Sequence, residues 1–184
     1  MMQTLYKLTD QQGYTRRGQT NECLWGEGIT HSATGHGGLC TAGVIHAYEH
    51  PLLAVFMNPI HANLRNPLLW ECEGEIFVRE GQLKCGCKKL TTCSKISLPS
   101  ITLEQRVRIA IYCALAVYKE KHFVTWAEKW LNGTDRTSGA ASYAASYAAR
   151  YAASDAASYA ARCAARYACF DLLSIIKSVV LEGK

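Results

Sequence analysis

Half of the thirty positions from Ala140 to Cys169 are alanine, and they recur in a fixed unit of four. In fours the stretch reads AASY, AASY, AARY, AASD, AASY, AARC, AARY. Alanine is the best helix former, so the local expectation is a long helix. Four residues advance 400°, so each column drifts by ~40° per unit around a 3.6-residue helix. The tyrosines at 143, 147, 151, 159 and 167 therefore mark no single face. Thirty helical residues span ~45 Å, and such a rod lets other backbones approach closely on several sides. A scaffold or a homo-oligomer interface follows from that pattern. A membrane span does not, because Ser, Tyr, Asp, Arg or Cys interrupts the alanines throughout.

The remainder of the 184 residues is mixed in composition, with 49% apolar and 19% charged, enough for a packed core. Residues 1–99 read as a β-rich unit. Leu5 to Thr9 is an opening strand closed by the turn residues Asp10 to Gly13. Glycines at 26, 28, 35, 37, 38 and 43 make the following stretch loop-rich. Val44 to Tyr48 is a short strand, and Pro51 to Met57 a short buried helix stopped by Asn58-Pro59. From Leu69 to Val78 the pattern alternates. Trp70, Cys72, Gly74, Ile76 and Val78 share one face, and Glu71, Glu73 and Glu75 the other. A turn at 79–82 leads to a strand over Leu83–Thr92, then Lys95 to Leu98.

Pro99 marks the boundary to a helical unit over 100–184. Thr102 and Gln105 have capping-box spacing, and a helix near 103–120 carries Val107, Ile111, Ala114, Leu115 and Tyr118 on one stripe. A second helix covers 123–131, with Trp126 and Trp130 on one face and Asn132-Gly133 as its left-handed stop. The last helix spans 138–182, with a break near 169. The fold class is α+β: a β-rich N-terminal unit followed by an all-α C-terminal unit with a long alanine-rich helix.

The net charge of +5 is spread thinly: residues 1–99 hold nine Lys/Arg against eight Asp/Glu, and residues 100–184 eleven against seven. That density is below what a dedicated nucleic-acid binder carries. The nine cysteines, with no charged and apolar leader before them, read as reduced thiols in a cytoplasm, the host's if the gene is a phage's. Cys72, Cys85, Cys87 and Cys93 are weak zinc candidates, because a one-residue gap puts Cys85 and Cys87 too far apart on a strand face to chelate without a bend. The expectation is no metal and no cofactor. A Cys–His nucleophile pair, Cys23 or Cys40 with His31 or His46, requires an adjacency that sequence does not give. His46 is most simply a half-buried, hydrogen-bonded side chain. Arg17, Lys84, Lys88 and Lys89 are the cations available to a nucleotide or nucleic acid.

Three carboxylates on one strand face repel one another unless they are solvated or put to use. The run Glu73-Gly74-Glu75-Ile76-Phe77-Val78 resembles the Glu-x-Glu element of arginine-type ADP-ribosyltransferases. The resemblance implies an NAD-dependent enzyme in which Glu75 stabilises the developing sugar cation and Glu73 orients the acceptor. Arg16 or Arg17 and Ser32-Ala33-Thr34 would supply its other elements, although the final serine is lacking and only about sixteen residues separate them.

Two further resemblances cover most of the chain. Tyr6-Lys7-Leu8-Thr9, the Trp25-Gly26-x-Gly28 loop, Gly43 to Tyr48, Leu69 to Glu73 and Lys95 to Pro99 resemble a small domain of unknown function in phage and bacterial proteins. Trp126-Ala127-Glu128-Lys129-Trp130-Leu131-Asn132-Gly133-Thr134-Asp135-Arg136-Thr137 and the tetrads after it are similar to alanine-rich helical segments grouped as immunity proteins. These imply a non-catalytic phage or mobile-element accessory protein that binds an unidentified protein partner in defence, counter-defence or immunity. The alternatives are the ADP-ribosyltransferase-like enzyme and a nucleotide or nucleic-acid binder.

Overall fold

The computed structural model describes residues 1–139 and 171–183. They fall into two compact units, Met1–Ile101 and Thr102–Lys184, and the protein is α+β. The alanine tetrads lie outside the described residues, and with them the tyrosine column, Arg150, Arg162, Arg166, Cys163 and Cys169. No helix among the described residues is long and apolar enough to cross a membrane.

The first unit is built on a long antiparallel hairpin, β6 (Leu68–Glu80) and β7 (Lys84–Ile96). β1 (Gln3–Thr9) pairs with the first half of β6, while β4 (Thr30–Ser32) and β5 (Ile45–Ala47) pair with different parts of β7. Just past β5, Tyr48 exchanges both backbone hydrogen bonds with Tyr6, at 2.8 and 2.9 Å. The sheet thus returns to its first strand and closes a ring of pairings. Two short strands, β2 (Tyr14–Thr15) and β3 (Cys23–Leu24), form a separate ribbon. α1 (Pro51–His61) packs against β1.

Alternation fills the ring. Leu5, Ala47, Trp70, Cys72, Cys85, Cys87 and Leu90 point inward and pack with Trp25. Two buried hydroxyls tie the ends. Thr9 accepts from Trp70 Nε1 at 3.0 Å, and Thr92 donates to the carbonyls of Gly26 and Ile29. Buried polar groups need such partners, since each one left unmade costs about 1–3 kcal/mol.

The hairpin departs from ideal pairing at three places, and two of them shape its outer face. Glu71 lies opposite Ser94 but Cys72 opposite Thr92, so Cys93 is an inserted residue. The strand expected to stop at Thr92 instead continues through this bulge to Ile96. Next, Gly74 lies opposite Leu90 and Ile76 opposite Cys87, which sets both Lys88 and Lys89 against the single Glu75. A bulge of this kind bends the strand and re-aims its side chains. Here it turns two consecutive lysines to solvent.

α1 also runs further than its sequence indicates, passing through Pro59 to His61. Proline lacks an N–H, but in a last turn this removes only one bond from the helix. Asn58 closes the end: its carbonyl accepts from Ala62 and Asn63, and its side chain both donates to and accepts from Leu64.

In the second unit α2 (Leu103–Val117) packs against both α3 (Lys121–Leu131) and α4 (Leu172–Leu181). The capping box is present: Thr102 Oγ1 accepts from Gln105, and the Gln105 side chain accepts from the Thr102 amide. α3 starts two residues earlier than expected because Glu120 accepts from the His122 and Phe123 amides. The stripe on α2 packs with Phe123, Ala127, Trp126 and Trp130. Gly133, at φ 80°, closes α3 in a left-handed turn, with Thr134 bonding back to Lys129 and Gly133 to Trp130. Arg136 then lies over the Trp130 ring at 4.7 Å and pairs with Glu104 at 3.0 Å. The Trp-to-Arg segment is therefore a structural joint between the helices. Thr102→Ala is expected to lower the stability of this unit by about 1 kcal/mol, whereas Thr102→Ser is near neutral; thermal melts of the two variants make the comparison.

Candidate functional site

The two faces of the β6–β7 hairpin separate the candidate residues. Cys72, Cys85 and Cys87 line the ring interior and are fully buried. Cys93, on the bulge, sits on the other side within the field of Glu73 and Glu71. Burial pushes the Cys72 thiol up to about 12. Cys85 is held protonated chiefly by a hydrogen bond to Cys87, whose own pKa is lowered by receiving it. The four zinc candidates nevertheless do not converge, and no three His, Cys, Asp or Glu side chains among the described residues form a metal-ligating group.

Lys7 stands among these thiols. Strand alternation points it inward beside Leu5, opposite Trp70. Its Nζ donates to the His46 carbonyl at 3.0 Å and lies 4.6 Å from the centre of the Trp25 ring. Burial pulls the amine down to about 8, against the opposing pull of Cys72, Cys23 and Cys87. Arg16, at φ 54°, adds its charge to Lys7 and His46. Arg16 itself is exposed just past β2, and Glu73 and Glu75 are exposed on β6.

The outer face carries the carboxylates and a groove of about 510 Å³, lined by Met2, Glu75, Phe77, Lys88, Lys89 and Thr91. Glu75 is exposed and contacts the Met1 amine, which lowers its pKa. Lys88 lies 4.5 Å from the centre of the Phe77 ring and donates to the Gly43 carbonyl at 2.6 Å. Phe77 itself is 59% exposed. The other two cations of the nucleic-acid reading are elsewhere. Arg17 is held by Gln12, Asp10 and the Tyr14 ring, and Lys84 by Glu80 and Cys40. They form no continuous basic track.

The glycine-rich segment folds into a tight loop over residues 33–44. A Cβ on Gly43 would meet Gly37 O at 2.3 Å, and one on Gly35 the Ala42 Cβ at 2.5 Å. Thr41 bonds to the His36 and Gly38 carbonyls and to the Gly43 amide. The loop presents Cys40 in the left-handed region, at φ 64°. The Cys40 amide donates to His46 Nε2 at 3.0 Å, and its sulfur accepts from Lys84 Nζ at 3.2 Å. Burial, reinforced by Lys84, Lys7 and Arg16, takes His46 down to about 4, so the ring is neutral at pH 7. Cys40 and His46 are thus adjacent, but the imidazole holds the backbone and not the thiol. His31 instead donates to the Leu24 carbonyl at 2.7 Å and packs edge-on to Trp25.

Sequence reading missed one residue and one pairing here. Lys7 is a charged residue between Leu5 and Thr9 on the inward face of β1, and the alternation of the strand could have signalled it. Lys84 is forty-four positions from Cys40, and nothing local links them. No known protein family, curated protein or solved structure matches the chain.

Proposed function

We propose that this is a non-catalytic accessory protein of the phage or mobile-element kind, working by binding a protein partner. The observation that carries the reading is the outer groove at the β7 bulge. An exposed aromatic ring there is flanked by a carboxylate on one side and two lysines on the other. Protein interfaces are enriched in aromatic side chains and methionine, and this groove sets the exposed Phe77 beside the exposed Met2. The phage setting, and a role in defence or immunity, rest on the sequence resemblances alone. The transferase reading has less support, because the exposed Glu75 is engaged by the Met1 amine.

Affinity capture from host lysate with the wild type, Phe77→Ala and Lys89→Glu tests the reading. A specific partner should bind the wild type and bind Phe77→Ala about tenfold more weakly, with the melts of the two proteins unchanged. Equal capture by all three proteins would overturn it. So would NAD turnover that Glu75→Gln abolishes.

A further inference from the structure

The charges of the outer groove are not balanced within it. The β7 bulge sets Lys88 and Lys89 against Glu75, yet that carboxylate contacts the Met1 amine. Neither lysine makes an ion pair among the described residues. Lys88 is held without a counter-charge, between the Gly43 carbonyl at 2.6 Å and the Phe77 ring at 4.5 Å. Lys89 is exposed. The hydroxyl in the lining, that of Thr91, is already bonded to Thr30 at 2.8 Å. Two cations without an anion are what the groove offers to a charged ligand.

An apolar patch adjoins them. Phe77 stays 59% exposed with Lys88 over its ring, and Met2 is 60% exposed. An apolar contact flanked by cations fits a ligand of the complementary pattern, an apolar group flanked by anions. Those anions are either the phosphates of a nucleic acid or the carboxylates of a protein. A nucleic acid carries a charge at every step of its backbone. The outward face continues from Glu75 to Glu73, which is exposed opposite Thr91, so a phosphate chain crossing the groove would run onto carboxylates. A peptide can set its carboxylates at the two lysines alone.

We propose that the groove binds an acidic, partly apolar segment of a partner protein, with carboxylates on Lys88 and Lys89 and an apolar side chain on Phe77 and Met2. This rests on the reading of the groove as a protein-binding surface and adds the chemistry of the partner. Lys88 is positioned in advance by Gly43 and Phe77, so pairing it orders little that is not ordered already. Lys89 stands free in solvent, where a charge acts chiefly on the rate of encounter and on salt dependence.

The test selects binders to the full chain from a displayed random peptide library and measures the strongest as a labelled synthetic peptide by fluorescence anisotropy. The enriched peptides should carry Asp or Glu beside a large apolar residue, and their binding should weaken as salt is raised, because exposed charges are screened. Lys89→Glu should weaken the peptide at least about tenfold with an unchanged melt, and a peptide with its acidic residues replaced by Lys should prefer that variant to the wild type. Peptides that need Phe77, shown by loss of binding to Phe77→Ala, but need neither acidic residues nor Lys89 would overturn the acidic assignment and leave the groove reading standing. Enrichment no greater than on a Phe77→Ala/Lys89→Glu double variant would also overturn the proposal, while the lysate capture decides the groove reading separately. Tighter binding of a single-stranded oligothymidylate than of the peptide, lost in Lys89→Glu, would overturn it in favour of nucleic acid.

Discussion

Lys7→Met is expected to stabilise the N-terminal unit by about 2 kcal/mol at pH 7 and to lose that advantage by pH 10. Burial lowers the Lys7 amine from 10.5 to about 8. At about 1.4 kcal/mol per pH unit, keeping it charged in the fold costs about 3 kcal/mol. Methionine has a similar length and removes that cost, but gives up the hydrogen bond to the His46 carbonyl, worth about 1 kcal/mol. The sign follows from linkage. The folded pKa is the lower one, so between pH 8 and 10.5 the unfolded chain binds more protons, and the wild type gains stability as pH rises. Above pH 9 the protonated thiol of Cys72 and the phenol of Tyr48, each raised to about 12, pull stability down. They do so in both proteins and cancel in the difference. Urea titrations at pH 7 and pH 10, followed through exchange of β6 amides, read the gap directly. A gap that does not narrow would show that Lys7 is not charged in the fold.

Gly43→Ala is expected to cost about 1–3 kcal/mol, in line with overpacked sites, and to release the loop that carries Cys40. The added Cβ would lie 2.3 Å from Gly37 O and 2.6 Å from the His36 carbonyl carbon. Both are backbone atoms, so no side-chain rotation relieves the clash. Once the loop opens, the Cys40 amide leaves His46, and the ring's pKa rises from about 4 toward its ordinary 6.5. Gly38, five residues earlier, is the internal control: a Cβ there meets nothing within 4 Å, so Gly38→Ala should stay within about 0.5 kcal/mol of wild type. Melts together with an NMR titration of His46 separate the two. Equal stability of the two variants would mean that the loop is not tightly packed.

The features legible in the sequence were those with a short period. Alternation in Trp70–Val78 separated the carboxylates from the core, because successive strand residues point to opposite faces. Thr102-x-x-Gln105 and Asn132-Gly133 marked helix ends through contacts only a few residues long. What was not legible depends on residues distant in the chain. The pairing of Tyr48 with Tyr6 closes the ring across forty-two positions. The bulge that turns Lys88 and Lys89 outward is set by how β7 matches β6, and neither strand shows it alone. For the candidate site, Glu75 was visible as part of an acidic face, but its grouping with Phe77 and the two lysines was not. Pro59 read as a helix stop because its effect depends on Asn58 binding Leu64 beyond it. The grouping of Arg16 with Glu73 and Glu75 came from a family resemblance.

Asp171 bears on the repeat that precedes it. It is an N-cap in its own right, with φ −83° and ψ 92°, and its carboxylate accepts from the Ser174 amide at 3.0 Å. α4 therefore begins anew at Leu172, and the face that buries Leu172, Ile176 and Val179 is set by its own cap. A helix that inherited its phase from the repeat would turn by ~40° with each unit added or removed, and its buried residues would swing away from α2. An independent start insulates α4 from that count. The residues that α4 sets against α2 are fixed from Asp171 onward.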